Sequence, residues 1–148
     1  MQYREEVRDL FSVSDDYYLA HCISADFALG KGIVIEFNKR FDMKRKLQTC
    51  FDGYLEEFVE NDYQSDYLMM GRVFNLITKE RYWQKPTYST MRGALEMMKK
   101  LSIENDVNKI AMPTIGAGLD RLSFNNVSEI IKDVFSDTDI EILVCKLK

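Results

Sequence analysis

The sequence is short of proline, histidine and cysteine, and each shortage excludes a class of protein. Two prolines and one histidine occur among 148 residues, of which 46% are hydrophobic and 30% charged. This composition is that of a folded globular protein and excludes disordered and fibrous chains. The three cysteines, Cys22, Cys50 and Cys145, are odd in number and far apart, so we expect no disulfide framework. No spacing of Cys, His and Asp indicates a metal site.

Long apolar runs and an excess of positive charge are also missing. No apolar stretch approaches the ~20 residues that a membrane span requires, and the first residues have no apolar core of signal-peptide length. We therefore expect no membrane partner and a cytoplasmic location. The net charge of −4 disfavours a broad nucleic-acid surface, since clustered Lys and Arg drive such binding. The length fits one domain, residues 1–148.

Short apolar segments alternate with segments of helical period. Residues 17–23, 109–112 and 140–145 are typical of buried strands. Apolar spacing predicts helices around residues 33–41, from Thr87 to Leu101 and from Phe124 to Val134. Residues 42–67 suggest one further short helix, and residues 68–77 form either a hairpin about Gly71 or one bulged strand. This alternation predicts an α/β fold with a largely parallel sheet and helices on both faces.

Two glycine loops each follow a predicted strand. They are Ala28-Leu29-Gly30-Lys31-Gly32 and Ile115-Gly116-Ala117-Gly118-Leu119-Asp120. Without side chains, backbone N–H groups can approach an anion closely, and a following helix start adds a positive dipole. One such loop is often only a turn that needs positive φ, whereas two loops can grip a diphosphate from both sides. Because ligands bind beyond the carboxyl ends of parallel strands, we expect both loops, Lys79 and Asp120 to line one cleft.

Five motifs, in this order and spacing, resemble those of the macrodomain superfamily, and most of all its terminal ADP-ribose protein glycohydrolase branch. The motifs are Ala20-His21-Cys22-Ile23-Ser24, Gly30-Lys31-Gly32-Ile33, Leu76-Ile77-Thr78-Lys79, Lys85-Pro86-Thr87-Tyr88 and the segment from Met112 to Leu122. The resemblance covers nearly the whole chain, from about Val7 to the C-terminus. It implies a three-layer α/β/α macrodomain with a mostly parallel mixed central sheet and an elongated cleft that binds ADP-ribose, without cofactor or metal.

The resemblance also implies the ligand contacts. Asp9 corresponds to the aspartate that accepts a hydrogen bond from the adenine amino group, although the family usually has glycine where this chain has Arg8. The ligand-binding residues implied in this way are Asp9 and Leu10, then Ser24, Gly30, Gly32 and Ile33 at the first diphosphate loop, and Thr114, Gly116, Ala117, Gly118 and Leu119 at the second.

A lysine and an aspartate are the catalytic residues that the resemblance implies. Lys79 would attack the anomeric carbon of the distal ribose, displace the carboxylate of a modified glutamate and form a transient lysyl adduct, which Asp120 would resolve as the acid/base. A free lysine, with a pKa near ~10.4, is almost wholly protonated at neutral pH. Partial burial, or a neighbouring cation such as Arg81 or Arg121, would have to favour the neutral amine.

The same residues can also be explained without a catalytic or binding role. A lysine at a strand end is usually a solvated charge, and Asp120 can be only a helix-entry residue. Tyr82 and Trp83 either stack on a substrate, cover the cleft or pack on the surface. His21, inside an apolar strand, is expected to be a core side chain without a catalytic role.

The resemblance favours a hydrolase that releases ADP-ribose from modified carboxylates and deacetylates O-acetyl-ADP-ribose. The alternatives are a phosphatase for ADP-ribose 1″-phosphate, a hydrolase for ADP-ribosylated nucleobases in DNA, and a reader that binds ADP-ribose without turnover. A flipped base needs only a small basic rim, so a nucleic-acid partner stays open. The presence of both Lys79 and Asp120 speaks against a reader. We expect a monomer whose partner is ADP-ribose or an ADP-ribosylated substrate.

Overall fold

A computed structural model describes residues 1–147, which contain six strands and five helices. The strands are β1 (Gln2–Val7), β2 (Tyr18–Ser24), β3 (Asp66–Met70), β4 (Val73–Lys79), β5 (Lys109–Met112) and β6 (Glu141–Lys146); the helices are α1 (Val34–Phe41), α2 (Met43–Cys50), α3 (Tyr54–Glu60), α4 (Tyr88–Glu104) and α5 (Phe124–Phe135). Single turns of 3₁₀ helix lie at Leu10–Ser12 and Gly118–Asp120. Within residues 1–147 no helix combines the length and the apolar character needed to cross a membrane.

All strands join one sheet in the order β1-β6-β5-β2-β4-β3. Every neighbouring pair is parallel except β3 and β4, which form an antiparallel hairpin about Gly71. The hairpin is therefore the correct alternative for residues 68–77, and the expectation of a mostly parallel mixed sheet is confirmed. Because β1, β2, β4, β5 and β6 run the same way, their carboxyl ends meet at one edge of the sheet.

Two separate hydrophobic cores cover the two faces of the sheet. Leu19 and Ile23 of β2 point to the face packed with α1, α2 and α3, where Phe37 and Leu47 are fully buried. Ala20, next to Leu19, points to the other face, which packs against α4 and α5. Successive side chains of a strand point to opposite faces, so one strand contributes to both cores. The predicted three-layer α/β/α arrangement is thus confirmed.

Two parts of the fold differ from the sequence prediction. β1 was not predicted because Gln2, Arg4 and Glu5 lie in an exposed edge strand, so its formation depends on pairing with β6 rather than on an apolar pattern. Residues 42–67 form two helices instead of one. Asp42, in the left-handed region (φ 52°), separates α1 from α2, and Gly53 (φ 76°) begins α3.

Helix boundaries follow from local chemistry. α4 begins after Thr87, as predicted, because the Thr87 side chain accepts a hydrogen bond from Thr90 N while the Thr90 side chain accepts one from Thr87 N. The second glycine loop does not lead straight into a helix: the 3₁₀ turn at Gly118–Asp120 intervenes, and α5 starts only at Phe124. A helix dipole therefore follows the first glycine loop directly but not the second.

Candidate active site

A cleft of about 1040 Å³ opens at the carboxyl ends of the parallel strands. Its lining includes each site residue inferred from the sequence, namely Asp9, Leu10, Ser24, Gly30, Gly32, Ile33, Lys79, Thr114, Gly116, Ala117, Gly118, Leu119 and Asp120. The fold thus brings both glycine loops, the turn after β1 and the end of β4 to one place. Their individual roles stay predictions.

Asp26 holds the first glycine loop in shape. Its Oδ1 accepts hydrogen bonds from Ser24 Oγ at 2.5 Å and from Ala28 N at 3.2 Å, while its Oδ2 accepts one from Tyr82 N at 3.0 Å. The carboxylate therefore connects the loop after β2 to the segment after β4. Sequence reasoning missed this residue. The available signal was an aspartate directly after a strand, since such side chains commonly bond the backbone two residues on.

The two glycines of the second loop serve different purposes. Gly116 has a φ of +78°, and a Cβ there would lie 2.9 Å from Met91 Cε and 3.1 Å from Leu122 Cδ1. Gly118 also has positive φ (+64°), but a Cβ there would meet nothing within 4 Å among the described residues. Positive φ favours glycine at both positions. A side chain at Gly116 would in addition push the ends of the Met91 and Leu122 side chains aside, whereas Gly118 has open space around it.

Lys79 and Asp120 form an ion pair inside the cleft. Lys79 Nζ donates to Asp120 Oδ1 at 2.8 Å, and the two side chains are 14% and 15% exposed. The partial burial expected for an active lysine is therefore present. Arg81 is exposed and paired with Glu80 at 3.8 Å, so a charge partner already engages it. An ion pair favours the charged forms of both groups, so Lys79 becomes a nucleophile only after its proton has left the amine.

Cys22 also lines the cleft and is partly buried. Burial, and after it the negative charge of Asp120, raise the pKa of the Cys22 thiol well above its usual range. Because the thiolate is the nucleophilic form, this shift disfavours Cys22 as a nucleophile.

Asp9 begins the 3₁₀ turn at the other end of the cleft. Its Oδ1 accepts a hydrogen bond from Phe11 N at 3.0 Å. Arg8, where the family usually has glycine, fits this turn because its guanidinium bonds the Ser12 backbone carbonyl and the Ser12 hydroxyl, each at 3.1 Å, and pairs with Glu6 at 3.1 Å. The side chain thus clamps the turn that carries Asp9.

His21 is fully buried and stacks on Phe37 with ring centroids 3.8 Å apart. Its Nε2 lies 2.6 Å from Asn75 Oδ1, and Asn75 Nδ2 donates to the Leu68 carbonyl, so Nε2 carries the proton. Nδ1 has no hydrogen-bond partner within the described part of the chain. Burial lowers the pKa of His21 to about 4. It is a neutral core side chain, as the sequence indicated.

Residues 81–84 form what we call the aromatic turn. Gln84 N donates to the Arg81 carbonyl at 3.0 Å, and Arg81 N donates to Gln84 Oε1 at 2.7 Å. Between them, Tyr82 and Trp83 line the cleft and are 59% and 63% exposed. More than half of each side chain is therefore open to solvent at the cleft.

No group of three His, Cys, Asp or Glu side chains in residues 1–147 is placed to hold a metal ion.

Comparison with known proteins gives two curated relatives of similar length. ADP-ribose glycohydrolase OARD1 from Homo sapiens and from Bos taurus are each 40% identical to this chain over 144 residues, which covers 94% of this chain and 88% of the relative. No family model matches the chain.

Solved structures share the fold at low sequence identity. The macrodomain of Thermus aquaticus DarG has a TM-score of 0.75 and 19% identity, with 97% of each chain covered. Thermosipho africanus DarTG in complex with ADP-ribose has a TM-score of 0.69 and 15% identity, with 93% of this chain and 39% of that chain covered. At such identities the likeness shows the fold alone.

Proposed function

This chain belongs to the macrodomain family, in the branch of the ADP-ribose glycohydrolases, and from that premise we propose that it is a hydrolase that binds ADP-ribose and removes it from modified carboxylates. Relatives named ADP-ribose glycohydrolase at 40% identity support the activity. We extend the proposal to O-acetyl-ADP-ribose, whose ester lies on the distal ribose and would face the same side chains.

The Lys79–Asp120 pair carries this proposal. The amine and the carboxylate are in contact at 2.8 Å, mostly buried, and open to the same cleft as both glycine loops. A diphosphate held between the loops, with the adenine toward Asp9, would direct the distal ribose toward the end of β4, where Lys79 lies. Burying charges is costly, and the position of this mostly buried pair in the cleft favours a catalytic role over that of a reader.

The reaction that we propose begins with a proton transfer. The Lys79 ammonium gives a proton to Asp120, and the resulting amine attacks C1″ of the distal ribose. The bond between C1″ and the glutamate oxygen breaks, and its electron pair leaves with the glutamate carboxylate. This yields a lysyl adduct at C1″, and the proton on Asp120 passes to solvent.

Hydrolysis of the adduct restores the enzyme. Asp120 takes a proton from water as the water oxygen bonds to C1″, and the electrons of the C1″–N bond return to Lys79 Nζ. Asp120 then returns the proton to the amine, which regenerates the ion pair. The products are free ADP-ribose and an unmodified glutamate.

Hydrolysis in ¹⁸O-water tests this proposal. A peptide carrying ADP-ribose on one glutamate should yield ADP-ribose and a glutamate without ¹⁸O, because C1″–O cleavage leaves both original oxygens on the carboxylate. Label in the glutamate would mean acyl cleavage and would contradict attack at C1″. Parallel assays with ADP-ribose 1″-phosphate and an ADP-ribosylated oligonucleotide distinguish the other hydrolases, and binding without any turnover would identify a reader.

A further inference from the structure

We propose that the aromatic turn is an acceptor subsite. In this proposal, which rests on the proposed function, Tyr82 and Trp83 bind the polypeptide that flanks the modified carboxylate, through an apolar or aromatic side chain beside it.

The exposure of the two aromatic rings indicates a binding role. Both line the cleft, yet more than half of each side chain is accessible to solvent. Trp83 is the one tryptophan in the chain. Side chains that bury so little surface add little to folding stability, whereas tyrosine and tryptophan are the residues that most often dominate binding to a partner.

The turn is fixed to both glycine loops. Tyr82 N donates to Asp26, which shapes the first loop, and Lys85 Nζ donates to the Leu119 carbonyl of the second loop at 2.6 Å. Together with the two hydrogen bonds that close the turn, these contacts hold its backbone in place before any ligand arrives. A preorganised surface loses less conformational entropy on binding.

Sheet topology places the turn near Lys79, at the opposite end of the cleft from Asp9. Asp9 follows β1 and Lys79 ends β4, and four strand spacings separate these strands in the sheet. At ~4.8 Å per spacing, this is about 19 Å, a distance suited to an extended nucleotide-sugar. The aromatic turn begins two residues after Lys79 and contacts both glycine loops, so Tyr82 and Trp83 lie near the end of the cleft where we expect the distal ribose. The substrate group that reaches this position is the one from which ADP-ribose is removed.

The charges of the segment favour a polypeptide over a nucleic acid. Residues 79–85 contain three cations, of which Lys79 pairs with Asp120 and Lys85 bonds the Leu119 carbonyl, so only Arg81, 3.8 Å from Glu80, is exposed and weakly paired. The whole chain carries a net charge of −4. A phosphate backbone needs available cations, but an apolar or aromatic side chain needs only the faces of Tyr82 and Trp83.

Two substrates with the same ester bond test the subsite. The first is a peptide with ADP-ribose on a glutamate beside a phenylalanine, and the second is ADP-ribosyl glutamate blocked by N-acetyl and C-methylamide groups. For Tyr82→Ala and Trp83→Ala, we expect kcat/KM on the peptide to fall about tenfold or more. The blocked amino acid should react at the wild-type rate, and the ADP-ribose Kd should not change. Ile103→Ala, an exposed apolar residue of α4 away from the cleft, is the matched control.

The outcomes separate this inference from the proposed function. Wild-type protein that hydrolyses neither substrate overturns the proposed function and the subsite with it. Variants that match wild type on both substrates overturn the subsite alone. Equal losses on both substrates would mean that the turn positions Lys79, which also overturns the subsite. Losses confined to an ADP-ribosylated single-stranded oligonucleotide would assign the aromatic rings to a nucleobase instead.

Discussion

Lys79 and Asp120 are 41 positions apart in the chain, and their Nζ and Oδ1 atoms are 2.8 Å apart in the fold. One comes from the end of a strand and the other from a 3₁₀ turn that follows a different strand. Because the two partners belong to different elements, each side chain can be substituted separately. Substitutions of Lys79 and of Asp120 can therefore test the role proposed for each side chain.

Lys79→Ala should lower kcat on a glutamate-linked substrate by at least about 100-fold, because no other amine replaces the nucleophile. Lys79→Arg should be as inactive, since a guanidinium stays protonated although it can keep the ion pair. Calorimetry should show ADP-ribose binding retained in both variants. Hydrolysis at the wild-type rate in Lys79→Ala would remove the nucleophile assignment.

Asp120→Asn should lower turnover by about 10²–10⁴-fold, the usual contribution of a general acid/base. The amide can still accept a hydrogen bond from Lys79 but cannot take its proton. ADP-ribose affinity, measured by calorimetry, should stay close to that of wild type. If turnover and affinity disappear together, Asp120 is a ligand-holding or structural group.

Asp9→Asn is expected to weaken ADP-ribose binding about tenfold or more, the usual effect of one mispaired polar group in a binding site. The asparagine Oδ1 can still accept from Phe11 N, so the 3₁₀ turn survives, but Nδ2 would present a donor to the adenine amino group. Affinity for ribose 5-phosphate should not change. Equal losses for both ligands would take Asp9 out of the adenine pocket.

Substitution of Gly116 should mainly lower stability, whereas substitution of Gly118 should also weaken ADP-ribose binding. Gly116→Ala should lower the free energy of unfolding by about 1–2 kcal/mol, through positive φ and the shift it imposes on the ends of the Met91 and Leu122 side chains. Gly118→Ala should cost about 1 kcal/mol through φ alone, and its methyl group should reduce ADP-ribose affinity. Urea denaturation and calorimetry measure the two effects. A more stable Gly116→Ala protein would contradict this assignment.

Acid should destabilise the fold through His21. The unfolded histidine takes up a proton near pH ~6.5, whereas burial lowers the folded pKa of His21 to about 4. Between these values the unfolded state binds more protons, so stability falls as the pH decreases, by about 3 kcal/mol in total at ~1.4 kcal/mol per pKa unit.

The chain has one histidine, which makes His21→Gln a direct control for this effect. Its unfolding free energy should change little between pH 7.5 and 5.5, a range above the usual titration of carboxylates, over which the wild type should lose about 1.4 kcal/mol. Urea titrations at several pH values compare the two proteins. An equal pH dependence in both would show that another group is responsible.

Elements with a strong local signal were predicted well. The capping residue Thr87 and the apolar spacing of α5 identify these helices without tertiary information. β1 has no such signal, because an exposed edge strand carries polar side chains and gains its order from β6. Residues 42–67 were predicted to hold one short helix because the break between α2 and α3 is short, from Phe51 to Gly53, and the apolar spacing continues across it.

Sequence resemblance marked the residues that line the cleft, but not the contacts that support them. Asp26 joins Ser24 and Ala28, which are near in sequence, to Tyr82, which is 56 positions away. The first part is a local turn that a sequence pattern can suggest. The second depends on β2 and β4 being neighbours in the sheet.

The chain alone determined the alternation of strands and helices, the positions of glycine and the kinds of chemical groups after each strand, because side-chain periods of 2 and 3.6 residues are local properties. Tertiary structure alone decided that Lys79 meets Asp120, that Asp26 meets Tyr82 and that two aromatic rings face the cleft. The reason is the strand order β1-β6-β5-β2-β4-β3: it selects which strand ends become neighbours, and no local pattern of side chains encodes that order.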